Sequence, residues 1–518
     1  MRSCDAIIIG GGINGLAAAG RLAKACCRVT VLEGTAAAGG GARSHEFAPG
    51  YRASVAHLLN MLDPRVEAGL DLARHGLTYA ARDLPTTALS ATGDHLVLEG
   101  AYGEKLSGSV SEIERQAWTA LRAKLLRLAG VLQPFKAMTP PRLARNAGND
   151  FATLARLALK TRMLGRDDVR ELLRLLLINI GDVLDEDLQD DRLKGVLSFD
   201  AVLGAHLGPR SPNSLILLLN RLASVAAGTT AGLALPKGGI ATVPQAMTRA
   251  VQELGCEIKT DARVGAIEVD GGRASAVVLA DGTRLAADII VSAINPKTTL
   301  LDLVGPRHLD TGIVRRADNI RMRGNAAKLH LALKAAPDFR GADPASRLVI
   351  APSVCAVEDA FNPAKYGASS ESPVMEIVMP SIHDDGHAPA GHHVLSATIQ
   401  FVPYELRVGW DKGRVDLQNR IMGALETYAP GISALVVGSE LLTPLDLEQN
   451  LGFVGGNWHH GELAVERMFF LRPIIGAAQY NSPIDGLYLA GAGCHPGGGI
   501  SGAAGWNAAE RIIALEGA

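Results

Sequence analysis

Three glycines, Gly10, Gly12 and Gly15, and an acid, Glu33, eighteen residues after the last of them, are the residues whose types and spacing most directly imply chemistry. They lie in DAIIIGGGINGLAAAGRLAKACCRVTVLEG, from Asp5 to Gly34. The apolar run Ala6 to Ile9 predicts a buried strand, the small residues from about Asn14 to Ala25 a helix, and Val29 to Leu32 a second strand. In that frame Gly10 permits the tight turn out of the strand, Gly12 lets backbone approach a pyrophosphate, and Gly15 lets the helix pack closely on the sheet. The start of the helix, Ile13 and Asn14, turns unpaired N–H groups and the positive end of the dipole toward the phosphates. Glu33 would accept hydrogen bonds from a ribose 2′-hydroxyl and repel a 2′-phosphate, so NAD or FAD fits and NADP is disfavoured.

Two further stretches favour FAD. GTAAAGGGARS, residues 34–44, brings a glycine cluster with Gly40 and Gly41 and one guanidinium, Arg43, to the far side of a pyrophosphate. Near the other end, GLYLAGAGCHPGGGISGAAGWNAAERIIAL passes from apolar strand to glycine loop to helix, mirroring the N-terminus. Gly499, Ile500 and Ser501 precede a helix expected to start near Gly502, with Ser501 as its N-cap. A helix start there would aim its dipole at the N1/C2=O edge of an isoalloxazine ring and stabilise the anionic reduced flavin.

The 518 residues are 47% hydrophobic, enough for two or three domains with large cores. Lys plus Arg (51) nearly balances Asp plus Glu (53), and no long basic run is present, which argues against a nucleic-acid partner. Six scattered cysteines form no CxxC or CxxxxC pair, which argues against dithiol chemistry and fits a reducing cytoplasm. MRSCD leaves no room for a signal peptide ahead of the first strand. HDDGHAPAGHH (His383 to His393) carries four histidines and two aspartates without a metal-ligand spacing, so a solvated hairpin loop and no metal site are expected. LLRLLLINI (Leu172 to Ile180) is too short to span a membrane and is expected to be a buried helix. It and the apolar run Leu215 to Leu222 leave room for a peripheral membrane contact or a homo-oligomeric interface.

Periodicity organises the rest of the chain. From Val110 to about Val202 the pattern is helical, broken at TPPRLARNAGND, residues 139–150. CEIKTDARVGAIEVDGGRASAVVLADGTRLAADIIVSA reads as an antiparallel meander returning to a core strand, Ile289 to Ser292. AKLHLALK, SPVMEIVMPS and HHVLSATIQFVPY alternate apolar and polar residues and predict an antiparallel sheet, followed by a helix around Val415 to Tyr428. The expected fold is α/β. A Rossmann-type FAD-binding domain is assembled from residues 1–105, 225–300 and 445–518. An α+β substrate domain combines a helical insert, 106–224, with an antiparallel sheet, 301–444.

The N-terminal segment, PKGGIATVPQAM, GNWHHGELAVERMFFLRPI and LYLAGAGCHPGGGISGAAGWNAA together resemble the phytoene dehydrogenase-related flavoproteins, nearest the pyridine nucleotide-disulphide oxidoreductase domain-containing protein 2 subgroup. The resemblance runs over essentially the whole chain. It implies a fold like that of amine oxidases and carotenoid desaturases, with FAD in the Rossmann half and an apolar cavity under the second domain. It assigns FAD contacts to Gly10, Gly12, Gly15, Glu33, Gly41, Arg43, the backbone of Val264 and Gly493, and the flavin edge to the loop His495 to Gly502. The redox-active dithiol of true disulphide reductases is absent, so that activity is not expected.

Flavin itself accepts the hydride, and the protein has to position the substrate and exclude water. With one dinucleotide fingerprint only, the substrate is expected to reduce the flavin, and oxygen, a quinone or another acceptor to reoxidise it. His460 and Glu462 are candidates for a proton-relay pair, because a histidine titrates near neutral pH. Both could equally be structural, as could His495 in the flavin-edge loop. The expected reaction is oxidation of an apolar small molecule. A flavin amine oxidase, a redox-neutral FAD isomerase and a non-catalytic chaperone like the Rab GDP-dissociation inhibitors remain alternatives.

Overall fold

The computed structural model describes residues 5–142, 148–163 and 165–517. The break expected at 139–150 falls partly outside them. Five short strands, β1 (Asp5–Ile9), β2 (Arg28–Leu32), β3 (Glu257–Lys259), β4 (Ile289–Ser292) and β5 (Leu487–Leu489), form a parallel sheet in the order β3-β2-β1-β4-β5. Strand periodicity sends alternate residues to opposite faces. Ala6 and Ile8 enter a core shared with the helices Ile13–Ala23, Thr242–Glu253 and Ala503–Glu516, whereas Ile7 and Ile9 pack under the antiparallel ribbon Val264–Asp270, Arg273–Leu279 and Arg284–Ala286. Burial on both faces explains why β1 and β4 read as continuous apolar runs. The order reverses between β1 and β4, and a ligand crevice forms at the carboxyl ends of strands at such a point.

A second sheet of eight strands runs, in spatial order, Val436–Leu442, Ala326–Leu333, His393–Gln400, Met375–Val378, Arg347–Ile350, Thr86–Ala88, Leu96–Glu99 and Lys105–Gly108. The last three correct the expected boundary, which assigned residues up to 105 to the nucleotide domain. Thr86–Ala88 pairs in parallel with Arg347–Val349 and so supplies the partner that the edge of Arg347–Ile350 would otherwise lack. A period-two pattern identifies a strand but not the sheet that recruits it. One face of this sheet packs on the helix Trp410–Tyr428 through Leu329, Leu331, Leu348, Ile350 and Ile377. At the other end of the sheet, Ala88, Leu96, Leu98 and Val349 pack under a helical layer running from Glu112 to Leu222.

Two expectations within that layer change. In the helix Arg166–Leu177, Leu173 is 59% and Leu177 69% exposed, so the run from Leu172 is not a buried helix. The two leucines are four apart and share one face, while Leu176 and Ile178 pack inward. The helix is rich in charge over its first turns, and at the edge of the layer its last leucines reach past the buried stripe to the outside. By contrast, the helix Ser214–Leu222 is core, with Leu215, Ile216, Leu218 and Leu219 fully buried. No described helix is long and apolar enough to cross a membrane.

The N-terminal and C-terminal helices meet through glycine. A Cβ on Gly505 would lie 1.8 Å from the Asn14 carbonyl oxygen, whereas one on Gly423, inside Trp410–Tyr428, would meet open space. Gly505→Ala is therefore expected to cost about 1–3 kcal/mol through overpacking, while Gly423→Ala gains about 0.5–1 kcal/mol of helix propensity. Urea midpoints of the two variants should move in opposite directions.

Candidate active site

A cavity of about 950 Å³ opens at the carboxyl ends of β1 and β4 and continues beneath the large sheet. Gly10, Gly12, Ile13, Asn14, Glu33, Gly40, Gly41, Arg43, Val264, Gly499, Ile500 and His460 line it. Gly10 has φ +97°, which allows the turn, and its N–H donates to the Leu32 carbonyl at 2.8 Å. A Cβ on Gly15 would lie 1.9 Å from the Gly10 carbonyl oxygen, so this glycine works beneath the turn, not in the cavity wall. The Glu33 carboxylate accepts from the Gly11 N–H at 3.0 Å and from the Thr35 N–H and hydroxyl at 3.0 and 2.8 Å. The glycine cluster is fastened over the turn by the Gly39 N–H, which donates to the Gly11 carbonyl at 2.8 Å. Arg43 donates to the Thr35 hydroxyl at 2.7 Å and the Gly40 carbonyl at 3.2 Å, and no carboxylate pairs with it among the described residues.

The C-terminal loops contribute differently from expectation. The helix begins at Ala503, one residue later than expected, and the Ser501 hydroxyl accepts its first N–H at 3.2 Å while Ser501 stays outside the cavity wall. A Cβ on Gly493 would come within 2.8 Å of the His460 carbonyl oxygen, so this glycine admits the loop carrying His460 and does not itself face the cavity. Glu462 is not a relay partner for His460: its buried carboxylate receives Arg321 at 2.7 Å and Arg323 at 2.6 Å and ties its loop to residues 321–323. His495 is also remote from the cavity wall, because its ring Nε2 donates to the Phe135 carbonyl at 2.6 Å on the neighbouring helical layer. Arg472 is 2% exposed and pins the whole loop, donating to the carbonyls of His459 at 2.6 Å, Gly461 at 3.2 Å and Ala492 at 3.0 Å. The histidines of the 383–393 segment serve as separate anchors: His383 bonds the Ala345 carbonyl, His387 the Arg52 carbonyl, His392 the Tyr51 hydroxyl and His393 the Ser381 hydroxyl. His387 is buried, so the segment is less solvated than a hairpin tip.

The inner end of the cavity holds residues that motif reading missed. Along Ala326–Leu333, Leu329, Leu331 and Leu333 point to one face, and Lys328 and His330 to the other. Strand register places Lys328 opposite Thr398 and Thr398 opposite Glu376, so three functional groups line up across neighbouring strands. Lys328 Nζ donates to His57 Nδ1 at 2.5 Å and to the Thr398 hydroxyl at 3.2 Å, and His57 Nε2 bonds Glu376 at 3.1 Å. Arg347, fully buried, binds Glu376 at 2.8 Å and Asp200 at 2.5 Å, and Arg221 binds Asp200 at 2.9 Å. Burial drives Lys328 well below its usual value, toward a free amine. Burial alone would raise Glu376, but Arg347 and His57 outweigh it and hold the carboxylate well below its usual range. The signal in the sequence was a lysine and a histidine two apart inside the strongly apolar AAKLHLAL.

A model of the flavin containing amine oxidoreductase family matches residues 13–513. The chain belongs to that family. It is 31% identical to pyridine nucleotide-disulfide oxidoreductase domain-containing protein 2 of Rattus norvegicus, over 98% of this chain and 93% of the relative. It is 26% identical to a lycopene-forming phytoene desaturase of Pantoea ananas, over 64% of each. Among solved structures, a cofactor-site variant of putrescine oxidase shares the fold with a TM-score of 0.63 at 16% identity, covering 99% of this chain and 98% of that one. FAD is the cofactor of this fold, and the cavity fits it. The helix at Ile13 has no side-chain cap, a Cβ on Gly12 would enter open space toward Gly40, and Asn14 Oδ1, His459 Nδ1 and His460 Nδ1 are buried polar atoms without partners along the cavity wall.

Two expectations follow for this family member. Arg43→Ala and Gly12→Val should each raise the Kd for FAD about tenfold or more, the first by removing a charge-assisted phosphate contact and the second by filling the cradle, as read by flavin fluorescence titration. Burial pushes His57 down to about 4, His459 to about 3 and His495 to about 4, from an ordinary 6.5. The unfolded chain binds those protons first, so the stability they contribute is complete above pH 6.5 and is lost as pH falls toward 4, at about 1.4 kcal/mol per pH unit for each histidine. Urea midpoints measured at pH 7 and 5 should differ accordingly, and equal midpoints would show that these rings are not held neutral.

Proposed function

We propose that this oxidoreductase removes a hydride from an apolar small molecule bound between the glycine loop at 497–499 and the large sheet, and that Lys328 receives the accompanying proton. The observation that carries the reading is the continuity of one cavity, with the dinucleotide site at one end and at the other the buried Lys328, bonded to His57 and Thr398 and with its pKa lowered by burial. Met61, Leu203, Ala205, Leu217 and Leu463 give the cavity an apolar stretch of wall, with Asn60 and Asn220 as its polar neighbours in the lining. FAD, held by the Gly10–Gly15 turn, Glu33, Arg43 and the start of the helix at Ala503, would supply the hydride acceptor. The protein's own part is to orient the substrate, keep water out and take up a proton at Lys328 Nζ, which His57 and Thr398 hold in place.

A polyene-desaturating relative supports the apolar substrate class, and the absence of a second dinucleotide fingerprint supports reduction by the substrate itself. The fold shared with putrescine oxidase supports an amine as the second reading. Aromatic side chains paired across the flavin would favour the amine; Phe453 instead packs on Gly41 and Trp458 on Gly204, where added Cβ atoms would lie 2.3 and 2.6 Å from the rings, so each ring is seated on backbone.

The test is an anaerobic visible spectrum of the purified protein. Flavin bands near about 370 and 450 nm should bleach with a member of a panel of polyenes and apolar amines and persist with NADH or NADPH. Lys328→Met should retain FAD and slow bleaching by about 10²-fold or more, the usual contribution of a positioned acid or base. A colourless protein that takes up no added FAD would overturn the reading in favour of a non-catalytic role.

A further inference from the structure

Oxidation at the buried inner end of the cavity leaves a proton at Lys328, and the fold contains a second, smaller void on the far side of one cavity residue. It has a volume of about 20 Å³, room for about one water, and is bounded by Ala80, Ser396, His383, Asp384 and His387. Ala56 and His57 line both spaces, and of these only His57 can carry a proton. We propose that His57 conducts protons between the substrate cavity and this void, so that protons reach solvent through the histidine-rich segment and not through the substrate's own path. The proposal rests on the oxidoreductase reading above.

The geometry supplies each step. On the cavity side Lys328 Nζ lies 2.5 Å from His57 Nδ1. The Ser396 carbonyl and hydroxyl, the latter 3.2 Å from the same nitrogen, stand at the void's inner wall. On the outer side His383 donates from Nε2 to the Ala345 carbonyl at 2.8 Å and His387 from Nδ1 to the Arg52 carbonyl at 3.4 Å, which leaves each ring one nitrogen able to accept. His383 and Asp384 are half-exposed and complete the way out. The groups facing His57 are Lys328, Glu376 with Arg347 behind it, His330 through Ser396, and across the void His383, Asp384 and His387.

The transfer balances without electrons. Lys328, as the amine, takes the substrate's proton and becomes an ammonium; one Nζ–H passes to His57 Nδ1 and regenerates the amine. The imidazolium then returns to neutral by losing the Nδ1 proton on its Ser396 side to a water in the void, while Nε2 keeps its own proton toward Glu376, and His387 or Asp384 passes the released proton to solvent. Burial pushes the His57 pKa down to about 4, so the ring hands a proton on and does not keep it.

Deuterium exchange at histidine C2–H, read residue by residue by mass spectrometry on the FAD-loaded protein in D2O, tests this without turnover. His57 should exchange about tenfold or more faster than His330, which is fully buried on the large sheet beside Lys328 and lines neither space. Ala80→Val, which fills the void, should slow His57 about threefold or more and leave His460, which lines only the main cavity, unchanged. His387→Phe fills the void from its other wall and should read the same. Exchange at His57 as slow as at His330, or unaffected by either filling variant, overturns the conduit even if panel compounds bleach the flavin. The expected exchange in a protein whose flavin never bleaches upholds the conduit and overturns only the oxidoreductase reading.

Discussion

Arg347 is a guanidinium without access to water, and the inner end of the cavity depends on how that charge is met. Removing an ion from water costs several kcal/mol, which only well-placed opposite charges recover. Asp200 comes from the helical layer and Glu376 from a neighbouring strand, so one residue ties insert to sheet. Arg221, on the buried helix Ser214–Leu222, shares Asp200. Once Glu376 is fixed by Arg347, its other oxygen orients His57, and His57 in turn receives Lys328. The inner wall of the cavity is thus the visible edge of a network whose anchor lies behind it.

The opposite end is organised by close approach of backbone. Gly10, Gly15 and Gly505 let turn, strand and two helices come nearer than any side chain would permit. Arg472 complements them by gathering carbonyls from its own loop and from Ala492, which presents His459 and His460 to the cavity. Glu462 and His495 belong to this scaffolding: one clamps the loop to residues 321–323, the other joins the glycine loop to the helical layer through Phe135. Their residue types suit acid–base chemistry, but their partners commit them to structure.

Much of the nucleotide half was legible because its signals are local. A turn that needs positive φ demands glycine, and a strand buried on both faces demands an apolar run, so Gly10 and Ala6 to Ile9 can be read in isolation. The same holds for the ribbon from Val264 to Ala286, whose Gly271–Gly272 and Asp281–Gly282 turns mark its hairpins. Legibility failed where a residue's meaning depends on its neighbour in space. Strands 86–88, 96–99 and 105–108 look like a continuation of the first domain until Arg347–Val349 recruits them. Leu173 and Leu177 look like core until the helix is seen at the edge of its layer.

The sequence by itself determined the strand, glycine turn and helix of the FAD-binding half, the acid at the end of its second strand, the C-terminal glycine loop and the family, because glycine, helix start and apolar strand act over a few residues. Only the tertiary structure decided which titratable groups meet. Lys328, Thr398 and Glu376 are separated by tens of residues and share a row only through strand register, and His57 reaches them from a loop near the N-terminus. Their chemistry arises from burial and pairing, which lower the lysine toward a free amine and keep the glutamate ionised. Those are properties of an environment, and no single stretch of chain contains its own environment.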